Sequence, residues 1–312
     1  MIESYNNSKI LVISHIADID GMGSVVLANK FYGAVDYILC DIGNLVDALK
    51  RIENKEYDII YICDLSLVSD AVSYINDHSY LIEKIKHFDH HSSRIDDTTP
   101  SYANYVLELN GRKTSATELF YNYLISLNNE FKSKFYDEFV EGIRANDTWD
   151  MNGDFELGRK LASIHAILGS NPFIEMVLSL DANQGFVLPK VYLDFIKDDQ
   201  DKMDSYIKNA NKNLCISEYN GMKIGVSITE QYRSVLGDEI CKLNPEIAFI
   251  LIINFNRMSC SLRTIRDDIH LGEICKEFHH DGGGHRKAAG FIIDAESIPK
   301  IKRYIDEYLE RR

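Results

Sequence analysis

Between Lys9 and His91 four short runs rich in β-branched and aromatic residues, KILVIS, VDYILCD, YDIIYICD and KHFDHH, alternate with three segments of helical spacing, GMGSVVLANKFY, NLVDALKRIEN and SLVSDAVSYIND. Nearly continuous apolar strands separated by helices need cover on both faces, so this pattern predicts an α/β fold around a buried parallel sheet. The loops that follow parallel strands converge at one edge of the sheet. Ser14-His15-Ile16-Ala17-Asp18-Ile19-Asp20-Gly21, the strand-end Asp64 and Asp89-His90-His91 are therefore expected to meet in one crevice.

After residue 111 the texture turns helical. Ser115-Ala-Thr-Glu118 reads as a capping box opening SATELFYNYLISL, and KSKFYDEFVEGIRANDTW, ELGRKLASIHAIL and PFIEMVLSL follow with helical spacing. The charged stretch KVYLDFIKDDQDKMDSYIKNANKN reads as a long exposed helix joining two domains, its charges forming a solvated face. From Leu214 strands return in NGMKIGVSI, EIAFILIINF and RMSCSLRT. A helix at LGEICKEF, a GGGHRKAAG loop, the strand FIIDA and a terminal helix complete a compact α/β unit. The expected division is 1–185, a linker helix over 186–213, and 214–312.

Charge narrows the partners. The chain has 312 residues with 34 Lys or Arg against 48 Asp or Glu, a formal charge of −14, which disfavours a sequence-independent binder of long nucleic acid. The acidity is uneven. Residues 214–312 hold 14 basic and 15 acidic residues, so residues 1–213 carry −13 of the total. No apolar run approaches the ~20 residues of a membrane helix, and MIESYNNSKILVIS lacks the basic and apolar regions of a leader, so a cytoplasmic protein without a membrane partner is expected. Six cysteines without a CxxC pair read as buried free thiols rather than as zinc ligands.

An Asp at a strand end is ordinarily a helix cap, and a lone His an ordinary core or surface residue. Clustered, they are harder to explain that way. Carboxylates held together repel one another unless a cation neutralises them. Oxygen and imidazole donors without thiolates suit Mn²⁺, Mg²⁺, Fe²⁺ or Zn²⁺, and a set of six is more than one ion needs. Two ions ~3.5–4 Å apart activate water for in-line attack on a phosphoryl group. Asp147, in RANDTWD, is a fourth polar position, at the end of an expected helix. Trp149, Tyr102 and Tyr105, near that loop, read first as core packing, with base stacking as the alternative.

The order HxxDxDG, an isolated strand-end Asp, DHH, a later Asp after a helix, and GGGHRKAAG near the C-terminus resembles the DHH phosphoesterase superfamily. The likeness spans nearly the whole chain, including the superfamily's C-terminal substrate domain. It implies an N-terminal parallel-sheet DHH domain flanked by helices, a linker helix, a smaller α/β C-terminal domain and an active site in the interdomain cleft. It also implies that His15 and Asp18 hold one Mn²⁺, that Asp20, His90 and Asp147 hold the other, and that Asp64 bridges them, with Mg²⁺ as the alternative ion. Asp89 is implied to orient His90, and His91 to contact the scissile phosphate or help the leaving group. His15 and Asp18 are three apart, where many small members space them by four and others by two.

In the C-terminal domain the resemblance implies a phosphate clamp. Arg263 offers the bidentate fork that lysine lacks, while Gly282, Gly283 and Gly284 free the backbone to form an anion-binding concavity beside His285. Arg266 and Arg286 read equally as outer contacts or solvated surface. The implied activity is Mn²⁺-dependent hydrolysis of short RNA or DNA oligonucleotides or dinucleotides to mononucleotides. A pAp phosphatase, a cyclic-dinucleotide phosphodiesterase and a RecJ-like single-strand exonuclease remain as alternatives, and a homodimer is one assembly open to such a chain.

Overall fold

The computed structural model describes residues 8–91 and 99–311. Residues 1–7, on which the expectation of a leaderless N-terminus turns, lie outside them. By internal contacts the chain divides into two units, 1–197 and 198–312.

The first unit is built on four parallel strands, β1 (Ile10–His15), β2 (Asp36–Cys40), β3 (Ile59–Cys63) and β4 (Ile85–Phe88), in the order β2-β1-β3-β4. The crossovers are α1 (Ile19–Tyr32), α2 (Leu45–Lys50) and α3 (Ser69–Asp77). Side chains alternate across the sheet as the strand period requires. Leu11, Ile13, Ile60 and Ile62 pack with Leu45, Leu49, Ala71 and Ile75 on one face. Val12, Tyr61, Cys63 and Phe88 meet α1 and the later helices on the other.

A two-rung hairpin of β5 (Glu108–Leu109) and β6 (Arg112–Lys113) leads into α4 (Ala116–Leu127), α5 (Lys134–Asp147), α6 (Phe155–Leu168) and α7 (Ser170–Ser179). Ser115 does cap α4 by accepting from the Glu118 amide, but the reciprocal half of the box is absent. The Glu118 carboxylate instead takes Arg112 at 2.7 Å and the Thr114 hydroxyl at 2.6 Å.

The charged stretch forms α8 (Lys190–Lys212), whose one buried residue is Ile207. The second unit has β7 (Cys215–Tyr219), β8 (Met222–Ile228), α9 (Arg233–Leu243), β9 (Ile250–Asn254), β10 (Ser259–Arg263), α10 (Leu271–Phe278), β11 (Gly283–Gly284), β12 (Ala288–Ile292) and α11 (Ile298–Glu310). Its sheet runs β11-β12-β10-β9-β8-β7, with only β8 and β9 parallel. Two features depart from the sequence expectation. The edge strand β7 and helix α9 fall in stretches where neither period is strong. The last strand begins at Ala288 rather than Phe291, because Gly283 and Gly284 pair with Gly290 and Ala289 and draw the supposed loop into the sheet. All six cysteines are buried and unpaired. Among the described residues no helix is long and apolar enough to cross a membrane.

Candidate metal centre and phosphate turn

In the order β2-β1-β3-β4 the chain leaves β1 toward one edge and returns to β3 on the other side, so the sheet's switch point lies between β1 and β3. His15 ends β1, and Asp41, Asp64 and Asp89 each stand one residue beyond β2, β3 and β4. Buried Ser14 joins the two central strands: its hydroxyl lies 2.8 Å from the Gly21 carbonyl and 3.1 Å from that of Cys63. Gly21 must lack a side chain, since a Cβ would fall 2.0 Å from the His15 carbonyl oxygen.

Asp18 and Asp20 are caps as well as crevice residues. One oxygen of Asp18 accepts the amides of Asp20 and Gly21 at the start of α1, both at 3.2 Å, while the other sits 3.0 Å from His15 Nδ1. Asp20 is fully buried and accepts the first amides of α4, Ala116 at 2.7 Å and Thr117 at 2.9 Å. A carboxylate carries about four lone-pair sites, so capping leaves acceptor capacity toward the crevice.

Around Asp64 the groups gather in three overlapping sets, His15 with Asp18 and Asp64, Asp20 with His90 and Asp147, and Asp64 with Asp89, His90 and His91, the candidate donor atoms of each set lying within 4.8 Å of one another. His90 Nε2 faces Asp147 at 3.3 Å, Asp64 at 3.5 Å and Asp20 at 3.6 Å, yet in none of these directions does it complete a hydrogen bond. Asp64 Oδ2, 3.5 Å from His15 Nδ1, is likewise buried without a hydrogen-bond partner. Asp64 also holds a left-handed φ of 56° directly at a strand end, a strained conformation for a residue other than glycine.

The electrostatics agree with crowding. Burial, reinforced by Asp64 and Asp147, pushes the Asp20 carboxyl well above its ordinary range. Burial also lifts Asp147 to about 6, with His90 opposing and Asp64 adding to it. The hydrogen bond to Asp18 is the main cause that raises His15 to about 10. Burial would lower His90, but the three carboxylates around it prevail and raise it to about 9. Two orphaned buried atoms and four converging carboxylates, Asp18, Asp20, Asp64 and Asp147, are what an oxygen- and imidazole-ligated divalent centre requires, so the residues fit such ions.

Asp89 does a different job. Its Oδ1 accepts the amides of His90 and His91 at 2.8 and 3.3 Å and lies 2.7 Å from His91 Nδ1, while Oδ2 takes the Ser66 hydroxyl at 2.6 Å. It therefore holds the main chain of His90 but the ring of His91. Burial would raise Asp89, yet its bonds to His91 and Ser66 keep it below the usual carboxylate range.

Sequence reasoning passed over three residues here. Asp41 stands 3.9 Å from His15 Nε2. Its signal was available, since each of VDYILCD, YDIIYICD and KHFD ends a strand on aspartate. Ser66 carried no signal. Arg144 is the third, fully buried, binding Glu141 and Asp150 at 2.6 and 2.7 Å and reaching the Lys113 carbonyl at 3.2 Å, so it pins the chain just after Asp147. The aromatics divide. Tyr105 packs edge-on against His87 and accepts the Leu67 amide at 2.9 Å, and Tyr102 joins a core cluster, but Trp149 is 74% exposed. For Trp149 the core expectation fails.

In the second unit Arg263 ends β10 opposite Ala288, three residues past His285, which brings strand end and glycine turn onto neighbouring strands. Its guanidinium binds the Ser234 hydroxyl at 3.0 Å, and among the described residues it has no carboxylate partner. The glycines act differently from the expectation of successive free amides. The Gly282 amide donates to His279 at 2.8 Å and that of His285 to Ala288 at 2.8 Å. A Cβ on Gly282 would fall 2.2 Å from the Cys275 carbonyl oxygen, and Gly284 has φ of 135°, whereas a Cβ on Gly283 would meet nothing within 4 Å. Tight packing fixes the outer two glycines, and Gly283 is the open one.

Next to this turn lies a second His and acid cluster. His279 Nε2 meets Asp294 at 3.0 Å while its Nδ1 accepts the Asp281 amide at 3.0 Å, and His280 meets Glu296 at 2.6 Å and Asp281 at 3.1 Å. Each ring nitrogen there has a partner.

A family model described as the DHHA1 domain matches residues 226–311. The oligoribonuclease NrnB of Bacillus subtilis (strain 168) is 27% identical over 288 residues, covering 89% of this chain and 72% of the relative. Among solved structures, exonuclease RecJ bound to manganese superposes with a TM-score of 0.61 at 12% identity, covering 100% of this chain and 93% of that one. RecJ of Thermus thermophilus in complex with Mn²⁺ gives 0.58 at 14%, over 100% of this chain and 54% of that one. These two likenesses concern the fold. Fold, donor set and relatives together define a metal-dependent phosphoesterase, a hydrolase. The match over 226–311 marks a DHHA1 domain, and together with the curated relative and the shared fold it supports a phosphoesterase of the DHH superfamily.

Proposed function

We propose that the chain is a Mn²⁺-dependent phosphodiesterase that shortens small oligonucleotides and dinucleotides to mononucleotides. What carries the reading is the pair of orphaned buried atoms, Asp64 Oδ2 and His90 Nε2, at the sheet's switch point. The 27% identity to an oligoribonuclease supports the substrate class. His15 and Asp18 hold one ion, Asp20, His90 and Asp147 the other, and Asp64 lies between the two sets. When bound, such ions supply positive charge to the phosphoryl oxygens and acidify water.

The protein's own groups do the rest. Asp89, kept ionised, fixes His91 through Nδ1 and favours its charged form, in which Nε2 also bears a proton and is free to donate to a phosphate or leaving oxygen. In the 214–312 region Arg263, Gly283 and His285 bind a substrate phosphate, with Gly282 and Gly284 shaping the turn around it.

The test is the product ladder from a 5′-labelled five-nucleotide RNA incubated with Mn²⁺ or Mg²⁺, alongside pAp, cyclic di-AMP and a long single strand. Stepwise shortening to mononucleotides is expected. Faster turnover of pAp or cyclic di-AMP, or processive digestion of the long strand, would replace this reading with the corresponding one.

A further inference from the structure

Trp149 is the only tryptophan of the chain and one of its most exposed apolar side chains. It also occupies a costly backbone slot. Helix α5 ends in a Schellman turn: the Asp150 amide donates to Ala145 at 2.9 Å and the Trp149 amide to Asn146 at 3.4 Å. That motif places Trp149 at the left-handed position, φ 55°, which glycine fills without strain. Buried Arg144 then locks the turn through Asp150 at 2.7 Å. A large ring held rigidly in water by a strained residue gives the fold little in return. Its ring neighbour is Phe155, with centroids 5.8 Å apart.

The ring borders a cavity of about 390 Å³, lined by His90, His91 and Asp147 of the metal cluster together with Trp149, Leu107, Lys113 and Glu108. That volume falls in the range of small-molecule sites, ~300–1,000 Å³. Among the described residues no carboxylate pairs with the Lys113 ammonium. The cavity thus combines a π face, an apolar edge and the Lys113 ammonium, with Glu108 opposite it on the hairpin, beside the cluster that would hold a phosphate. A nucleotide presents the complementary set of groups, and an unpaired base of any identity has a face to stack.

The geometry points to a base subsite: Trp149 stacks the nucleobase next to the scissile phosphate, and Lys113 meets an adjoining phosphate. This rests on the function proposed above and sharpens it. The site takes single-stranded nucleotides with little regard to sequence, and it disfavours phosphoesters that lack a base.

Because Trp149 is the sole tryptophan, indole fluorescence reports on this position alone. In Mg²⁺-loaded protein, AMP and the other three nucleoside monophosphates are expected to quench it within a few-fold of one another, whereas ribose 5-phosphate leaves it unchanged. For turnover, Trp149→Ala is expected to lower kcat/KM on pApA by about tenfold, in keeping with the worth of one stacked base, and to cost little on a dinucleotide whose stacked position is abasic. Trp149→Phe keeps most of the rate. Trp149→Gly, suited to the left-handed slot, should fold with an undiminished melting temperature and still lose the base preference.

Equal quenching by ribose 5-phosphate, no quenching by any nucleotide, or equal losses on intact and abasic substrates would overturn the subsite. So would fluorescence that follows protein concentration instead of nucleotide, which would assign the ring to self-association. If pApA is not turned over at all but AMP still quenches, the base subsite stands and the proposed activity fails.

Discussion

Among the described residues two clusters of histidines and acids stand out, and they differ in what they leave unsatisfied. Around Asp64 two buried polar atoms have no partner, and the carboxyls of Asp20 and Asp147 are pushed upward by burial and mutual repulsion. Around His279 and His280 the rings are paired. Asp294 is held down chiefly by the Ser297 amide, and Glu296 is lowered to about 2 chiefly by His280. A protein that must hold cations folds with charge left over, whereas a protein stapling a loop matches each group within the chain. Residue types alone do not separate the two cases, because both clusters read as His and Asp in sequence.

The contrast can be broken most sharply at Asp64. Asn tolerates a left-handed φ as well as Asp does, so Asp64→Asn keeps the backbone while removing the charge. Turnover is expected to fall by more than ~100-fold and bound metal, read by elemental analysis, to drop as well. Near-normal activity would defeat the two-ion assignment.

Next in size is Arg144→Met. Removing the buried guanidinium takes one partner from Glu141, which keeps Arg112, and one from Asp150, which keeps the Asn152 amide, with an expected loss of about 1–2 kcal/mol in denaturant unfolding. Turnover should fall too, since Arg144 sets the chain that follows Asp147. Unchanged stability would mean that those acids find water instead.

A pH series sharpens the same comparison. In chelated protein Asp147, raised to about 6, keeps a proton that the unfolded chain releases near pH 4, so its contribution to stability declines between about pH 4 and 6. Asp20, raised in the same direction, adds to the decline. His90, raised to about 9, stabilises fully below about 6.5 and loses that effect as pH rises through 9. Divalent ions replace these protons, so the gap in melting temperature between metal-loaded and chelated protein should widen from pH 4 upward. A gap independent of pH would contradict the assignment.

The smallest effect is expected at Glu296→Gln, which weakens the pairing with exposed His280. A slight drop in melting temperature with unchanged metal content is expected. A loss of bound metal would show that the second cluster is a cation site after all.

Much of the first unit was legible because its strands are apolar throughout and its polar groups are confined to their ends. The same simplicity located Asp18, Asp20, Asp64 and the DHH triplet. What escaped depended on contacts distant in sequence. Asp20 capping α4, Ser66 reaching Asp89 and Arg144 reaching the Lys113 carbonyl each join segments 23 to 97 residues apart, and no local period encodes them. The glycine triplet was misread for a related reason. Its outer members are fixed by the carbonyls of Cys275 and Ala288, neighbours visible only once α10 and β12 are in place. Trp149 was misjudged because an aromatic is usually core, and nothing nearby in sequence announces a Schellman turn with tryptophan in the glycine slot.

The double duty of Asp18 and Asp20 bears on how such a chain changes over generations. Each carboxylate closes the start of a helix with the same group that faces the crevice. Alanine at either position would remove a cap as well as a charge, so catalysis and foldedness decay together along that mutational route. Asparagine at position 18 keeps the single oxygen that accepts both amides and gives up only the charge, whereas at position 20 each oxygen takes a different amide and asparagine would turn an NH2 toward one of them. A descendant that retained this fold after losing its chemistry should therefore carry asparagine or serine at position 18 while keeping aspartate at position 20, and an alignment of inactive homologues would reveal whether inheritance took that path.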